Sequence, residues 1–550
     1  MSVMSATSPA PHMGGRPGPL PQFRAETLAT HGMVAAPHAL AAQAGLDMLK
    51  AGGNAVDAAI AANAALQVVY PFVCGLGGDL FAIVWDAPTQ TLIGLNASGR
   101  APQAATIERY QSLGYETMPR YGIHSVTAPG CASGWGMLSE RFGKLGLARA
   151  LQPAIGYARE GFPVGRGLSQ ALARMDKAHF THRSFRENYL PDGRIPDIGS
   201  LATAPALAES LGAIADGGPD AFYRGPLAQR IAAFFAREGG LITEKDLAAH
   251  LAEWVTPLSV PFGGLEICEL PPNTQGVTAL QMLGITDGLP LGDDPLSAQT
   301  VHMAVEAKKL AFADRAAHIT DIERMRLRPE ALIDPEYLAE RRALISADRA
   351  RATVATAGFS GDTVYLCAAD GNGSAVSLIQ SNYAGFGSGL VVDGTGISLQ
   401  NRGAYFSLNP DAANALEPGK RTLHTLIPSM ALRDGRPVAV FGAMGGDGQP
   451  QTHLQVYTNL LRYGMNIQAA IETPRWVHGA EEAGQVETLR LERRFPDETV
   501  EALRAMGHEV ALAAPLDSAM GHANGIILDT DTGVLHGGSD PRSEGAAVGW

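Results

Sequence analysis

Between residues 350 and 365 the chain changes texture, and that change limits the folds open to it. Residues 145–350 read as mostly helical, with clear apolar spacing in 227–235, 298–313 and 337–344. From Thr363 onward short β-rich runs dominate. TVYLCAA, the turn Asp370-Gly371-Asn372-Gly373 and SAVSLIQS together predict a hairpin. Further strands are expected at 389–392, 429–432, 438–441, 510–512 and 525–528, with helices near 452–462 and 467–473. Upstream, 39–50 has helical composition and stops at Gly52-Gly53, after which Asn54 is placed to cap an Ala-rich helix over 55–68. Helices this small on all sides pack closely against something else. Strands at 80–85 and 91–95 follow, joined by a turn at Ala87-Pro88. Helix-rich and strand-rich regions that both contribute long elements predict a layered α+β fold. A length of 550 residues calls for two or more domains, or one domain much elaborated.

Composition removes several function classes. Hydrophobic residues make up 46%, which supports a packed protein and argues against disorder. Lys+Arg 42 minus Asp+Glu 55 gives a net charge of −13 without a basic run, so nucleic acid is not an expected partner. The four cysteines lie far apart with no CxxC, which suggests core thiols rather than a zinc cluster or a disulfide framework. The N-terminus, MSVMSATSPAPHMGGRPGPLPQF, is rich in Pro and Gly and lacks an apolar signal core, so residues 1–24 are expected to be a flexible tail. The most apolar stretch, 39–69, is broken by Asp47, Lys50, Gly52, Gly53, Asn54 and Asp57, and is therefore no membrane span. A cytoplasmic protein without a membrane partner is the resulting expectation.

Common catalytic machinery is missing from the chain. There is no HExxH and no His/Cys/Asp/Glu run with metal-ligand spacing. The string GCASG at 130–134 is not a GxSxG elbow, and Lys144 and Lys420 follow glycine without the Ser or Thr of a phosphate-binding loop. GFGSG at 385–389 lacks the last glycine of a dinucleotide fingerprint. What remains is a Ser, Thr or Cys nucleophile without a local motif. Thr363 is the candidate, since it follows Gly361-Asp362 and opens the hairpin. Cutting the chain before it would free an α-amine, with a reference pKa of about 7.7–8.0, to accept its hydroxyl proton. By spacing alone Thr363 is equally an ordinary β-branched strand residue. Gly445-Gly446, after the 438–441 strand, is either a pair of oxyanion donors or a plain loop. Gly77-Gly78 is open to the same doubling, as site or tight turn.

Several strings, in order, then carry a family resemblance. They are GGNAVDAAIAANAALQVVYP (52–71), GLGGDLFAIV (75–84), SVTAPG (125–130), FYRGPLAQRIA (222–232) and GGLITEKDLAAH (239–250). ELPPNTQG (269–276), VEAKKLAFADR (305–315) and GGSDPRS (537–543) complete the set. The sequence resembles a γ-glutamyltranspeptidase (glutathione hydrolase) family proenzyme of the N-terminal-nucleophile hydrolase superfamily. The resemblance implies a four-layer αββα sandwich and self-cleavage between Asp362 and Thr363. A large chain, 25–362 after the tail, and a small chain, 363–550, would then form one layered heterodimer. Thr363 would be nucleophile and, through its amine, base. Gly445 and Gly446 would supply the oxyanion hole, and Ser381 a hydroxyl beside the nucleophile. Arg490 and Arg542 match arginines associated with maturation, with structural salt bridging as their alternative. No cofactor and no metal are implied; the partners are a small amide substrate and water or an acceptor amine.

Departures from the family pattern bear on substrate. The Asn, Gln and Asp that surround a γ-glutamyl amine in the family align with Tyr383, Arg402 and Tyr405, and an added guanidinium repels an ammonium. The paired serines for the substrate carboxylate align with His424 and Thr425, and Arg100 in NASGRAP is displaced by about two residues from the family arginine. The segment 408–424 is short for a lid. An open pocket preferring anions is expected, with Arg402, His424 and Arg100 available to a carboxylate. The leading functional reading is an N-terminal threonine amidohydrolase cleaving a γ-glutamyl or similar amide. The alternative keeps the mechanism and takes another small carboxylate-bearing amide, such as oxamate or a glutaryl-type acyl amide. A third reading is an unprocessed, non-catalytic family member that binds a small anion.

Overall fold

Side-chain alternation along the hairpin that begins at Asp362 decides how the layers stack. The computed structural model describes residues 15–175, 180–353, 362–480 and 484–550. In the strand Asp362–Asp370, Val364, Leu366 and Ala368 face one core, while Tyr365, Cys367 and Ala369 face another. Its partner Ala375–Tyr383 divides in the same way. The hairpin lies at the centre of a seven-stranded antiparallel sheet. The order is Ala546–Gly549, Gly32–Ala36, Asp362–Asp370, Ala375–Tyr383, Asp79–Asp86, Thr91–Ala97 and Glu253–Val255. A second antiparallel sheet runs Thr27–Ala29, Leu535–Ser539, Ala523–Leu528, Arg436–Ala443, Ser429–Arg433, Leu265–Glu269 and Leu258–Phe262. The chain is thus α+β, built on two large sheets.

The two sheets share a core that includes Phe81, Tyr365, Ile379, Met430, Val440 and Ile526. The outer face of the first sheet is covered by Ala39–Lys50 and Ala55–Val69. The second helix is buried along its whole length and begins in a capping box, Asn54 with Asp57. Its alanines leave room for that burial. The outer face of the second sheet packs against Gly276–Thr286, Ala298–His318, Gln449–Leu461 and Ile467–Glu472. The four cysteines are free and buried, as a core reading requires. No helix among the described residues is long and apolar enough to cross a membrane.

Three corrections to the sequence reading follow. Besides the two-residue strands Phe162–Pro163 and Leu201–Ala202, the region read as mostly helical contains three longer strands, Glu253–Val255, Leu258–Phe262 and Leu265–Glu269. They are short, and Pro261 breaks their signal, yet two of them extend the second sheet to its edge. The strand expected at 389–392 shrinks to Val391–Val392. The tail expected to be free over 1–24 lies partly outside the described residues. Within it, Arg16 bridges Met465, and the Phe23 and Arg24 N–H groups donate to Glu472 at 2.5 and 3.0 Å, which ties this stretch to the body.

Two contacts set how the sheets meet near the start of the hairpin. Asn524 Nδ2 donates to the Tyr365 carbonyl at 3.1 Å. Gly442 lies so close to Tyr365 that a Cβ there would come within 2.3 Å of the ring, and the ring is fully buried with its hydroxyl 2.8 Å from Ser377 Oγ. Asp79, at the head of its strand, joins the first sheet to the segment entering Ser429–Arg433. His424 Nε2 donates to its Oδ2 at 3.0 Å, and the Gly99 N–H to its Oδ1 at 2.9 Å. Burial raises the Asp79 carboxyl to about 7, against the opposing pull of Arg402, the Gly99 N–H, Arg421 and Gln400.

Gly442→Ala is expected to destabilise the protein by about 1–3 kcal/mol, the usual range for overpacking, read as a lower urea midpoint. An unfolded aspartate ionises near pH 3.9, so between about pH 4 and 7 the unfolded chain has lost a proton that folded Asp79 retains. Stability therefore falls as pH rises through that window and levels off above it. Asp79→Asn should flatten that part of the curve of urea midpoint against pH; an unchanged slope would refute the assignment.

Candidate active site

Thr363 does not sit in a regular ladder pair. Asp362 lies opposite Tyr383 and Val364 opposite Gln380, so the partner strand carries one extra residue across from Thr363. Such a bulge re-aims side chains. Tyr383 takes φ 79°, a left-handed conformation costly for a bulky residue and held there by its surroundings. Within the bulge, Ser381 Oγ donates to the Asp362 carbonyl at 2.5 Å. It accepts the Tyr383 N–H at 2.7 Å and the Thr363 hydroxyl at 3.4 Å. One hydroxyl thereby uses its donor and both acceptor sites. It polarises the carbonyl of the Asp362–Thr363 peptide and holds the adjacent Thr363 Oγ, all in a buried setting. A hydroxyl nucleophile beside a polarised upstream carbonyl is the arrangement that an N→O acyl shift requires.

The glycine pair lies where the second sheet passes into a helix. Gly445 and Gly446 have φ of 133° and 54° and lead through a 3₁₀ turn, Gly446–Gly448, into Gln449–Leu461. Met444 is pinned by its N–H on the His522 carbonyl at 2.9 Å, and the Gly448 N–H donates to the Gly445 carbonyl at 2.8 Å. The N–H groups of Gly445 and Gly446 have no hydrogen-bond partner among the described residues. Unpaired N–H groups near the N-terminus of a helix favour negative charge.

Between the bulge and the glycines lies a cationic cluster. Arg402 is 1% exposed, stacks over the Tyr383 ring at 4.3 Å and donates through Nη1 to Thr425 Oγ1 at 3.1 Å. Its Nη2 is buried without a hydrogen-bond partner among the described residues. Tyr405 meets Tyr383 edge-on, centroids 5.3 Å apart, and donates to Asp447 Oδ1 at 2.6 Å. Asp447 follows Gly446 directly and is gripped by Arg315 through both oxygens, at 2.8 and 3.0 Å. Burial alone would raise the Asp447 carboxyl; the Arg315 charge overrides it and holds the group below the ordinary carboxylate range. Gln275 accepts from Arg315 at 2.6 Å and donates to the carbonyls of Thr425 and Gly446 at 2.9 and 3.0 Å.

The fold therefore brings together Thr363, Ser381, Tyr383, Arg402, Tyr405, Thr425 and the Gly445-Gly446 turn. It does not gather the three cations expected for a carboxylate. His424 is fully buried, donates to Asp79 and accepts the Leu426 N–H at 3.3 Å, so both ring nitrogens are used. Burial and the nearby Arg402 charge hold its pKa well below the usual value, and it is neutral. Arg100 is taken up by Glu253 at 3.1 Å, Asp321 at 3.2 Å and the Gly419 carbonyl at 3.1 Å. Arg542 is buried in a pairing with Glu492 at 2.6 Å and Asp540 at 3.0 Å, while Arg490 pairs in the backbone ladder with Val477 and Ala511.

Asp447, Arg315 and Gln275 escaped the sequence reading. Arg315 and Gln275 fall within two of the strings noted above, but nothing local names their partners. The fold also assembles His302, Glu306 and His508 from distant positions. His302 Nδ1 lies 2.8 Å from His508 Nε2, and the Lys309 ammonium sits on Glu306 at 2.7 Å. That ammonium already occupies the carboxylate a cation would need. Glu306 also accepts the Arg351 N–H at 3.2 and 3.3 Å, so the group serves to anchor residue 351.

Comparison with known proteins identifies the family to which this fold belongs. A family model described as Gamma-glutamyltranspeptidase matches residues 41–550. The chain is 40% identical over 531 residues to a glutathione hydrolase-like YwrD proenzyme of Bacillus subtilis, covering 95% of this chain and 99% of that one. It is 43% identical over 536 residues to an oxamate amidohydrolase proenzyme of Klebsiella pneumoniae, covering 96% and 100%. Among solved structures, cephalosporin acylase from Bacillus halodurans superposes with a TM-score of 0.90 at 42% identity, covering 97% of this chain and 98% of that one. The chain belongs to the γ-glutamyltranspeptidase family and is an enzyme of the N-terminal-nucleophile hydrolase class.

Proposed function

We propose that this amidohydrolase is a self-processing precursor whose mature substrate is a small amide bearing a carboxylate on its acyl side. The observation that carries the substrate class is Arg402, a buried guanidinium with one nitrogen unpaired beside the Thr363 bulge. A buried cation without a full set of partners is costly, and a substrate carboxylate would complete it. A γ-glutamyl ammonium would instead need a free acid. Asp447 is held by Arg315 and Tyr405, and Asp79 by His424. Relatives named for glutathione, oxamate and cephalosporin substrates share comparable identity, so membership alone does not select among them.

In this reading Thr363 Oγ attacks the Asp362 carbonyl, and the peptide C–N bond breaks as the acyl group moves from nitrogen to oxygen. Water hydrolyses the resulting ester. The products are a chain of 362 residues and one of 550 − 362 = 188 residues, which stay associated in a four-layer αββα sandwich. The freed Thr363 amine then takes the hydroxyl proton as Oγ attacks the substrate amide. Gly445 and Gly446 donate to the oxyanion, and the amine returns the proton to the departing nitrogen. Water, or an acceptor amine, releases the acyl group from Oγ.

Thr363→Ala should leave one 57.6 kDa band on a denaturing gel where the parent gives two, the smaller beginning TVYLC by N-terminal sequencing. Ser381→Ala should slow precursor disappearance by about 10²-fold, the usual cost of losing a donor to a developing oxyanion. Arg402→Met should raise KM for an oxamyl or glutaryl amide about ten- to a hundredfold, equivalent to a lost charge-assisted hydrogen bond of about 1.5–3 kcal/mol. The acetyl amide serves as the control for folding. Equal losses on charged and neutral acyl groups, or robust turnover of γ-glutamyl-p-nitroanilide by the parent, would overturn the substrate assignment.

A further inference from the structure

Asp79 is fully buried, and no step of the proposed reaction uses its carboxyl. It heads the strand Asp79–Asp86 and lies directly opposite Ser381 in the ladder, so the two side chains share a face of the sheet. That places the carboxyl beneath the hydroxyl that holds Thr363 Oγ. Its oxygens accept from the Gly99 N–H at 2.9 Å, from His424 Nε2 at 3.0 Å and from Gln400 Nε2 at 3.3 Å. Neutral His424 brings a proton donor but no charge. Among the described residues, no Lys or Arg lies within ion-pair distance of Asp79.

Arg402 is the complementary group, a buried cation with no carboxylate in contact among the described residues. Two short bridges join it to Asp79. The Arg402 N–H donates to Gln400 Oε1 at 2.9 Å, and the nitrogen of the same amide donates to Asp79. Arg402 Nη1 donates to Thr425 Oγ1, and His424, next to Thr425 in the chain, donates to Asp79. Opposite charges are thereby held in one buried site without forming an ion pair. Burial lifts the Asp79 carboxyl to about 7, and Arg402 is the largest influence opposing it. The other groups that face this pair are committed elsewhere. Arg421 rests on Glu253 at 2.9 Å, and burial keeps the Cys131 thiol and the Tyr223 phenol protonated. Asp447 is locked to Arg315 and Tyr405.

We infer that Asp79 competes with the substrate carboxylate for Arg402, so that an anionic acyl group binds as a proton settles on Asp79. This rests on the reading of Arg402 as the acyl-side anchor and adds to it a specificity-determining residue. With Asp79 ionised, the guanidinium is already compensated and an incoming carboxylate meets a like charge. With Asp79 protonated, the guanidinium charge is left to the ligand. The proton comes from solvent, and no bond of the ligand changes. Affinity for anionic acyl groups therefore falls as pH rises through the Asp79 ionisation, whereas neutral acyl groups are indifferent to it. A charge brought beside a carboxyl moves its ionisation by about one unit or more, equivalent to about tenfold in affinity.

The probe is oxalate, the dianion that hydrolysis of an oxamyl amide leaves. Calorimetry on the processed protein should show binding about tenfold weaker at pH ~8.5 than at pH ~6. Titrations in two buffers of different ionisation enthalpy should show proton uptake with oxalate near pH 7. The freed Thr363 amine, with a reference pKa of about 7.7–8.0, pulls in the same direction, so the readout is the part that Asp79→Asn removes. That variant should lose most of the pH dependence and bind oxalate at high pH as well as the parent does at low pH. A variant that keeps the parent's slope and proton uptake overturns the inference. A second measurement needs no ligand. In Arg402→Met the Asp79 carboxyl loses its largest opposing charge, so the fall of urea midpoint with rising pH should extend about one unit beyond the parent's. An unmoved curve overturns the pairing. A shifted curve without oxalate binding to the parent supports the Asp79–Arg402 pairing and assigns the failure to the acyl-side reading.

Discussion

Asp447 keeps a negative charge in a dry interior because Arg315 meets both of its oxygens. Much of the site hangs on that pair. Asp447 fixes the Tyr405 hydroxyl, and Tyr405 in turn stands edge-on to Tyr383 in the bulge. Arg315 also orders Gln275, whose amide spans the carbonyls of Thr425 and Gly446. One buried ion pair therefore couples the glycine turn to the ring that stacks on Arg402. Removing either partner would strand a charge in low dielectric, at a typical cost of about 3–5 kcal/mol. The Phe312 ring, with Arg315 at 4.2 Å and Lys308 at 4.3 Å, supports the cations from behind.

Electrostatics divides the molecule into parts with different tasks. The chain carries a net charge of −13, whereas the buried Arg402 beside the Thr363 bulge holds a guanidinium nitrogen without a partner among the described residues. Two buried carboxyls near the site are held in different ways: burial raises Asp79 to about 7 while neutral His424 donates to it, and Asp447 is locked to Arg315. These acids act as supports for position. In the proposed function, a substrate carboxylate would meet the nitrogen of Arg402 that lacks a partner.

Much of the fold was legible locally. Asn54 and Asp57 capped the expected helix, and Asp370-Gly371-Asn372-Gly373 set the hairpin that forms the centre of the first sheet. The three strands between 253 and 269 were not legible, because they are short and one carries Pro261. Of the site, Thr363 and the glycine pair were legible as candidates in the residues themselves and Ser381 through the family resemblance, whereas the bulge was not. It arises from a register shift against Tyr383, and register depends on both strands at once. The same holds for Arg100, His424 and Arg402. As residue types all three suited a carboxylate, yet two of them are spent on Glu253, Asp321 and Asp79.

The change of texture near residue 350 determined the α+β class, the helices, most strands and the candidate nucleophile. Periodicity, capping and turn chemistry act over a few neighbouring residues and are written in their order. Which charges remain available to a ligand was decided only in three dimensions. His424 meets Asp79 across 345 positions and Arg315 meets Asp447 across 132. The freedom of a cation is a property of the partners that the fold brings to it. Arg402 was left with an unpaired nitrogen, and its neighbours in sequence gave no sign of that.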